Sequence, residues 1–336
     1  MAALDIGGVG GSGSGGGRPK KTRFAITNNE ADQQGVRQLE WATVARCLDN
    51  PRTCETSKER VHVDIADAWV YKGVFSEAEC KRLIDRLDAE EEEWMTISKA
   101  GRECDRRSFI SAELGEVMME RLNLIKELPQ TLRSITLTKE MTATSTDEIG
   151  TEGVWEAKRL NPFWRAVRYD EGGLYKRHAD GMVALKDEEG HDRSFVTVMA
   201  YLSSGFEGGA TRFFGRRLSV DEAAEAGSQY EGLAEVHPEP GLVLAFRQSI
   251  MHDAQEVIRT GSGDAQPPKK YILRSELLHV KTKDVPPDER WTAEALADLE
   301  RAKALMEDFD RSQIDLQEWQ SGMSALDPEI ASVFGF

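Results

Sequence analysis

The sequence predicts an α+β protein that is mainly β: a barrel or two-sheet jelly roll, preceded by supporting helices and followed by a helical appendage. Three observations carry this. Apolar residues recur at helical spacing up to about residue 128 and at strand spacing from Asn161 onward. Short strand patterns then succeed one another at 163–170, 175–180, 195–202, 210–214, 233–237, 241–247, 254–258 and 270–279. Turn residues separate most of them, at Gly172-Gly173, Gly208-Gly209, Pro240-Gly241 and Gly261 to Pro268.

Taken in order, residues 1–60 read as a largely flexible region. Gly7 to Gly17 is nearly all glycine and serine, which lose much entropy on ordering. It lacks the Gly-Lys-Ser/Thr ending of a phosphate loop. The cluster Arg18-Pro19-Lys20-Lys21-Thr22-Arg23 fits a solvated tail, with nuclear import as the alternative. Order begins near Val61, where Val61-His62-Val63-Asp64-Ile65 alternates like a strand. Ser76-Glu77-Ala78-Glu79 reads as a capping box. The helix it opens puts Cys80, Leu83, Ile84 and Leu87 on one face. A second helix is expected from about Ala112 to Leu128, stopped by Pro129. Residues 140–155 read as a loop. A domain over 61–282 then gives way at Pro286-Pro287 to a helical extension over 283–336. Within it, Asp308 to Glu318 resembles a calcium loop at its start. Gln313 replaces the sixth-position glycine and Trp319 stands at the twelfth place, so a calcium-free turn is expected.

The composition excludes some functions. A formal net charge of -16 argues against nucleic acid as the main partner, because phosphates would be repelled. Acidity on this scale serves solubility first. No stretch approaches the ~20 apolar residues of a membrane span, so a cytoplasmic protein is expected, with the nucleus as the alternative. The four cysteines, Cys47, Cys54, Cys80 and Cys104, form no CxxC pair, and reduced thiols are expected over a Cys47–Cys54 bridge.

The chemistry concentrates in Arg168 to Asp180. His178 and Asp180 lie two apart, so on extended chain they point to one face and can share a metal ion. His252 follows another apolar run and is the best third ligand. Two imidazoles and one carboxylate on one face of an iron leave positions open for oxygen and a co-substrate. The other histidines, His62, His191, His237 and His279, read as structural or surface groups. Arg274 sits in an otherwise buried-looking strand and needs a partner, either Glu276 on the same face or a ligand carboxylate. Thr197 and Tyr201 share a face and can line a pocket.

Five blocks, taken together and in this order, resemble the prolyl 4-hydroxylase-like group of Fe(II)/2-oxoglutarate-dependent dioxygenases. They are RVHVDIADAWVYKGVFSEAECKRLI, LNPFWRAVRYDEGGLYKRHAD, SFVTVMAYLSSGFEGGATRFF, EVHPEPGLVLAFRQSIMHDAQEVI and KKYILRSELLH. The resemblance runs from about residue 61 to 280 and implies a double-stranded β-helix. It implies His178, Asp180 and His252 as iron ligands, and Arg274 as the partner of the distal carboxylate of 2-oxoglutarate. Prolyl 4-hydroxylases proper more often carry lysine at that place. Tyr169 and Thr197 match residues near the co-substrate. The implied activity is hydroxylation of a C–H bond by O2, coupled to decarboxylation of 2-oxoglutarate, with ascorbate able to restore the iron. The implied substrate is a prolyl or other side chain of a protein or peptide, or else a small free amino acid or metabolite.

Overall fold

The computed structural model describes residues 3–6, 22–25, 47–48, 57–89, 94–99, 101–123, 127–137, 152–187, 190–218, 228–259, 268–284, 297–298, 301–302, 304–305 and 315–326. They fall into two compact units, one made of residues 1–133 and 157–280, the other of 134–156 and 281–336.

In chain order the elements are β1 (Ala3–Ile6), β2 (Thr22–Ala25), β3 (Ser57–His62), β4 (Ile65–Lys72), α1 (Glu77–Asp88), β5 (Met95–Lys99), β6 (Arg102–Ile110), α2 (Ala112–Leu122), α3 (Gln130–Arg133), β7 (Ser134–Leu137) and β8 (Gly153–Leu160). There follow β9 (Phe163–Tyr169), β10 (Leu174–His178), β11 (Ala184–Asp187), β12 (Gly190–Tyr201), β13 (Glu207–Gly208), β14 (Thr211–Arg217), β15 (Tyr230–Val236), β16 (Val243–Arg247), β17 (His252–Ala254), β18 (Val257–Ile258), β19 (Lys270–Lys283) and α4 (Leu316–Ser324).

The first unit is an antiparallel sheet whose main path runs β15-β14-β17-β10-β6-β9-β19-β12-β16-β4-β3. The two ends of this path, β15 and β3, lie against each other. The sheet therefore curls round until its edges nearly close, the jelly-roll architecture expected of the strand pattern. Closure turns alternate side chains of every strand inward. The core accordingly takes Val167 and Tyr169 from β9, Met199 and Tyr201 from β12, Leu244 and Phe246 from β16, Ala68 and Val70 from β4, Phe213 from β14 and Ile272 from β19. Gly241 makes the turn into β16 with φ 85, and a Cβ there would stand 1.9 Å from the Phe75 carbonyl oxygen. Only glycine fits that approach.

α1 begins at the predicted capping box. The Ser76 hydroxyl accepts from the Glu79 amide at 3.2 Å, and the Glu79 carboxylate accepts from the Ser76 amide at 2.8 Å. Ser76→Ala is expected to lower the stability of this unit by about 1 kcal/mol, read from the urea midpoint at unchanged slope. At the other end of α1 the Arg107 guanidinium of β6 donates to the Leu87 carbonyl at 2.7 Å, a cation at the negative end of a helix. Arg121 of α2 is buried against Glu79.

The second helix ends sooner than its apolar spacing predicts. Asn123 adopts the left-handed conformation with φ 43 and caps α2, six residues before Pro129. Pro129 instead leads into α3, its carbonyl accepting from the amides of Leu132 and Arg133. Strand structure also reaches back before Val61: β3 starts at Ser57, and β1 pairs antiparallel with β2 inside the region expected to be flexible. Strands β5, β6 and β11 fall where no strand was expected, and β8 occupies the end of the expected loop at 140–155. Residues 138–151 lie outside the described set, as do 7–21 of the glycine-rich segment.

In the second unit β7 pairs antiparallel with the first half of β8. Ala302, Met323 and Leu326 form a small core with Leu305 and Trp319. Asp315 is the N-cap of α4 and exchanges hydrogen bonds with Glu318, so both acids of the calcium-loop-like stretch that are described serve a helix cap. Residues 308–314 lie outside the described set. Among the described residues Cys47, Cys80 and Cys104 form no disulfide, and Cys54 lies outside the described residues. Among the described residues no helix is long and apolar enough to cross a membrane.

Candidate metal centre

Adjacent strands bring the two histidines together. β10 pairs with β17, and His178 stands directly opposite His252 in that register. A register shift between Tyr175 and His178 resets the inward face of β10, so both residues reach the interior despite their odd spacing. The backbone amide of Asp180 then donates to the Gln248 carbonyl at 2.9 Å, which holds the segment after β10 against the end of β16.

His178, Asp180 and His252 each offer a ligand atom, and these atoms lie within 4.8 Å of one another. His178 Nε2 is 3.6 Å from Asp180 Oδ1, and His252 Nε2 is 3.7 Å from Asp180 Oδ2. Each imidazole is fixed through its other nitrogen. His178 Nδ1 bonds the Lys176 carbonyl at 2.8 Å, and His252 Nδ1 bonds the Ile250 carbonyl at 2.9 Å. A carbonyl only accepts, so Nδ1 carries the proton and Nε2 presents its lone pair to the triad. Packing fixes the ring planes. Tyr175 stacks on His178 at 3.6 Å, and Phe246 meets His252 edge-on at 4.7 Å.

Both oxygens of Asp180 are held. Thr197 Oγ1 donates to Oδ2 at 2.6 Å, and Arg274 Nη2 lies 2.8 Å from Oδ1. Burial alone would raise this carboxyl. The Arg274 guanidinium, the largest opposing influence, and the Thr197 hydroxyl pull the other way, and the group is held well below the usual carboxylate range, as an anion. Burial pushes the His252 imidazole down, against the pull of Asp180, which keeps it neutral and able to ligate. Thr197→Val keeps the volume and removes the donor. We expect metal affinity to weaken roughly 10- to 100-fold, measured by competition with a chelating dye.

Arg274 thus has the metal-ligand carboxylate as its partner. Glu276, the same-face candidate, is instead engaged by Arg165 and by the Asn161 amide at 3.0 Å. Tyr169 and Tyr201 face the interior deeper in the barrel, and the Tyr201 hydroxyl donates to Thr211 Oγ1 at 2.7 Å.

Between those two rings lies a cation that the sequence reading passed over. Lys270 is 1% exposed, its Nζ 4.9 Å from the centre of the Tyr169 ring and 5.9 Å from that of Tyr201. Among the described residues no carboxylate makes an ion pair with it. Burial pushes its ammonium down to about 7, with Asp253 opposing. A usable signal was present. Lys270 and Arg274 are four apart on one strand and so share its inner face. Arg102, beside Tyr175, was also passed over, in a stretch that carries no periodic pattern.

The match to a protein family agrees with this chemistry. Residues 164–274 match the family described as the 2OG-Fe(II) oxygenase superfamily, a span containing His178, Asp180, His252 and Arg274. A comparison with curated proteins finds no match. Among solved structures, a Pseudomonas putida prolyl-4-hydroxylase is 15% identical with a TM-score of 0.35, over 70% of this chain and 97% of that one. A viral collagen prolyl hydroxylase from Paramecium Bursaria Chlorella virus-1 is 16% identical with a TM-score of 0.35, over 69% and 100%. HygX from Streptomyces hygroscopicus, solved with nickel, 2-oxoglutarate and hygromycin B, is 16% identical with a TM-score of 0.35, over 65% and 84%.

Proposed function

We propose that this chain, whose residues 164–274 match the 2OG-Fe(II) oxygenase superfamily, hydroxylates an unactivated C–H bond, with a prolyl or other side chain of a protein or peptide as the leading substrate. The observation that carries the reading is the donor set. Two imidazole Nε2 atoms and one ionised carboxylate converge, each oriented by a second hydrogen bond. That set suits ferrous iron and leaves positions open. Iron bound there supplies oxygen-dependent oxidation of 2-oxoglutarate to succinate and carbon dioxide, coupled to hydroxylation of the substrate.

The chain's own residues do the rest. His178, Asp180 and His252 hold the ion. Thr197 and Arg274 keep Asp180 ionised and aimed. Lys270 is a buried ammonium in need of an anion, and it fits the distal carboxylate of 2-oxoglutarate, with Tyr169 and Tyr201 walling the slot. In this reading Lys270 takes the role that the sequence ascribed to Arg274, because Arg274 is engaged at the metal. Aromatic and aliphatic side chains around the centre exclude water from the reacting carbon. A non-catalytic module would have no use for two imidazoles locked with Nε2 free. Ascorbate as the reductant that keeps iron ferrous, and a cytoplasmic or nuclear setting, complete the proposal.

The test is succinate release by the purified protein given Fe(II), 2-oxoglutarate and ascorbate. Mass spectrometry then screens peptide and metabolite pools for the gain of one oxygen atom, with His178→Ala as control. Turnover that persists unchanged in that variant overturns the assignment.

A further inference from the structure

Beside the metal centre two guanidiniums flank the Tyr175–His178 stack, one over the tyrosine ring and one on the carboxylate that neighbours the imidazole. Arg102 stands opposite Tyr175 in the β6–β10 register. Its guanidinium lies 4.4 Å over the Tyr175 ring, and that ring stacks on His178. Its Nε donates to Cys104 Sγ at 3.3 Å. That sulfur supplies no counter-charge, since burial raises the thiol and keeps it neutral. Arg274 comes from β19, with Nη2 on Asp180 and its Nε buried without an acceptor. Tyr175 and His178 link the two: the ring under Arg102 stacks on the imidazole whose Nε2 is 3.6 Å from the carboxylate that Arg274 grips. Among the described residues, Asp180 is the one acid that makes an ion pair with either guanidinium.

This is an excess of positive charge inside a chain whose net charge is -16. Loading the site does not remove it. A divalent ion and a dicarboxylate cancel each other, and the distal end of the dicarboxylate belongs to Lys270. The excess at the Arg102–Arg274 pair therefore persists in the loaded enzyme. Guanidiniums bind carboxylates through paired hydrogen bonds, and partial burial strengthens such contacts. Arg274 is on the metal side and Arg102 on the Tyr175 side, so an anion between them lies next to the bond to be oxidised.

We propose that Arg102 and Arg274 form a substrate subsite that binds a carboxylate next to the carbon to be hydroxylated. It rests on the oxygenase reading and narrows it. The substrate is a free carboxylic acid, or a peptide with an acidic group adjoining its target side chain.

The test uses the full chain loaded with Mn(II), which is paramagnetic, and saturated with 2-oxoglutarate. Water-proton relaxation first reports whether Mn(II) binds. Acetate and the neutral acetamide are then added separately, and the relaxation of each methyl group is measured. Acetate is expected to be relaxed at least several-fold more than acetamide. Arg102→Gln should erase that preference and Arg102→Lys should keep part of it, while Mn(II) and 2-oxoglutarate affinities stay within about twofold. Equal relaxation of acetate and acetamide overturns the subsite alone, as does a preference that survives in Arg102→Gln. Failure of Mn(II) to bind overturns the oxygenase reading and the subsite with it. Displacement of acetate by N-acetylproline supports a free acid. Displacement only by a C-terminally amidated peptide with aspartate beside proline supports an acidic peptide.

Discussion

Asp180→Ala is expected to abolish succinate formation and to weaken metal binding by more than the roughly 100-fold typical of losing an outer hydrogen bond. The reason is the number of roles this side chain fills. It is the only anionic ligand of the triad, the acceptor for Thr197 and the counter-charge of Arg274. Removing it leaves two imidazoles beside a guanidinium with no anion among the ligands, and that field repels a cation. Arg274 also loses its ion-pair partner, so a fall in stability should accompany the loss of activity. Metal content by dye competition, succinate by mass spectrometry and folding by circular dichroism separate these effects. A folded variant that still binds iron and releases succinate would remove the basis of the proposed function.

Lys270→Met is expected to separate activity from stability. The dissociation constant for 2-oxoglutarate should rise by at least about 30-fold, corresponding to the roughly 2–5 kcal/mol of losing one partner of a buried charged pair. The protein without co-substrate should become more stable, because a buried ammonium with no ion pair among the described residues is replaced by an apolar side chain of similar length. The pH dependence has a definite sign. Lysine in the unfolded chain titrates near 10.4, and burial lowers the folded value to about 7. Between those values the unfolded state binds more protons, so Lys270 makes stability rise with pH across the window. The stabilisation from Lys270→Met is therefore largest below pH 7 and shrinks towards pH 10. In the wild type, 2-oxoglutarate binding must put the proton back, so its affinity falls about tenfold per unit above pH 7. Calorimetric titration at several pH values reads the affinity, and thermal melts of both proteins read the stability. A flat pH profile, or a variant that binds 2-oxoglutarate normally, sinks the assignment of Lys270.

Both predictions rest on residues that differ in how visible they are in the chain. Asp180 stands two places from His178 in a segment of strand-like pattern, so their common direction is a local property of extended backbone. Lys270 also lies an even number of residues from Arg274, yet lysine beside lysine at the end of a loop reads as solvated surface. Its burial comes from Tyr169 and Tyr201, which arrive from two other strands. Arg102 lies in a strand dense with charge, where no apolar alternation announces an inward face.

By itself the sequence determined the β-rich architecture, the α1 cap and the three side chains that meet in the candidate metal centre. Strand period, the capping box and the i, i+2 rule act over a few residues and are written in the order of the chain. Only the tertiary structure decided the partners. It set His178 opposite His252 across β10 and β17 and turned Arg274 onto Asp180 rather than Glu276. It also left Lys270 buried between two aromatic rings. Those pairings depend on sheet closure and on a register shift in β10. Both arise from contacts between strands distant in the chain, which no local pattern encodes.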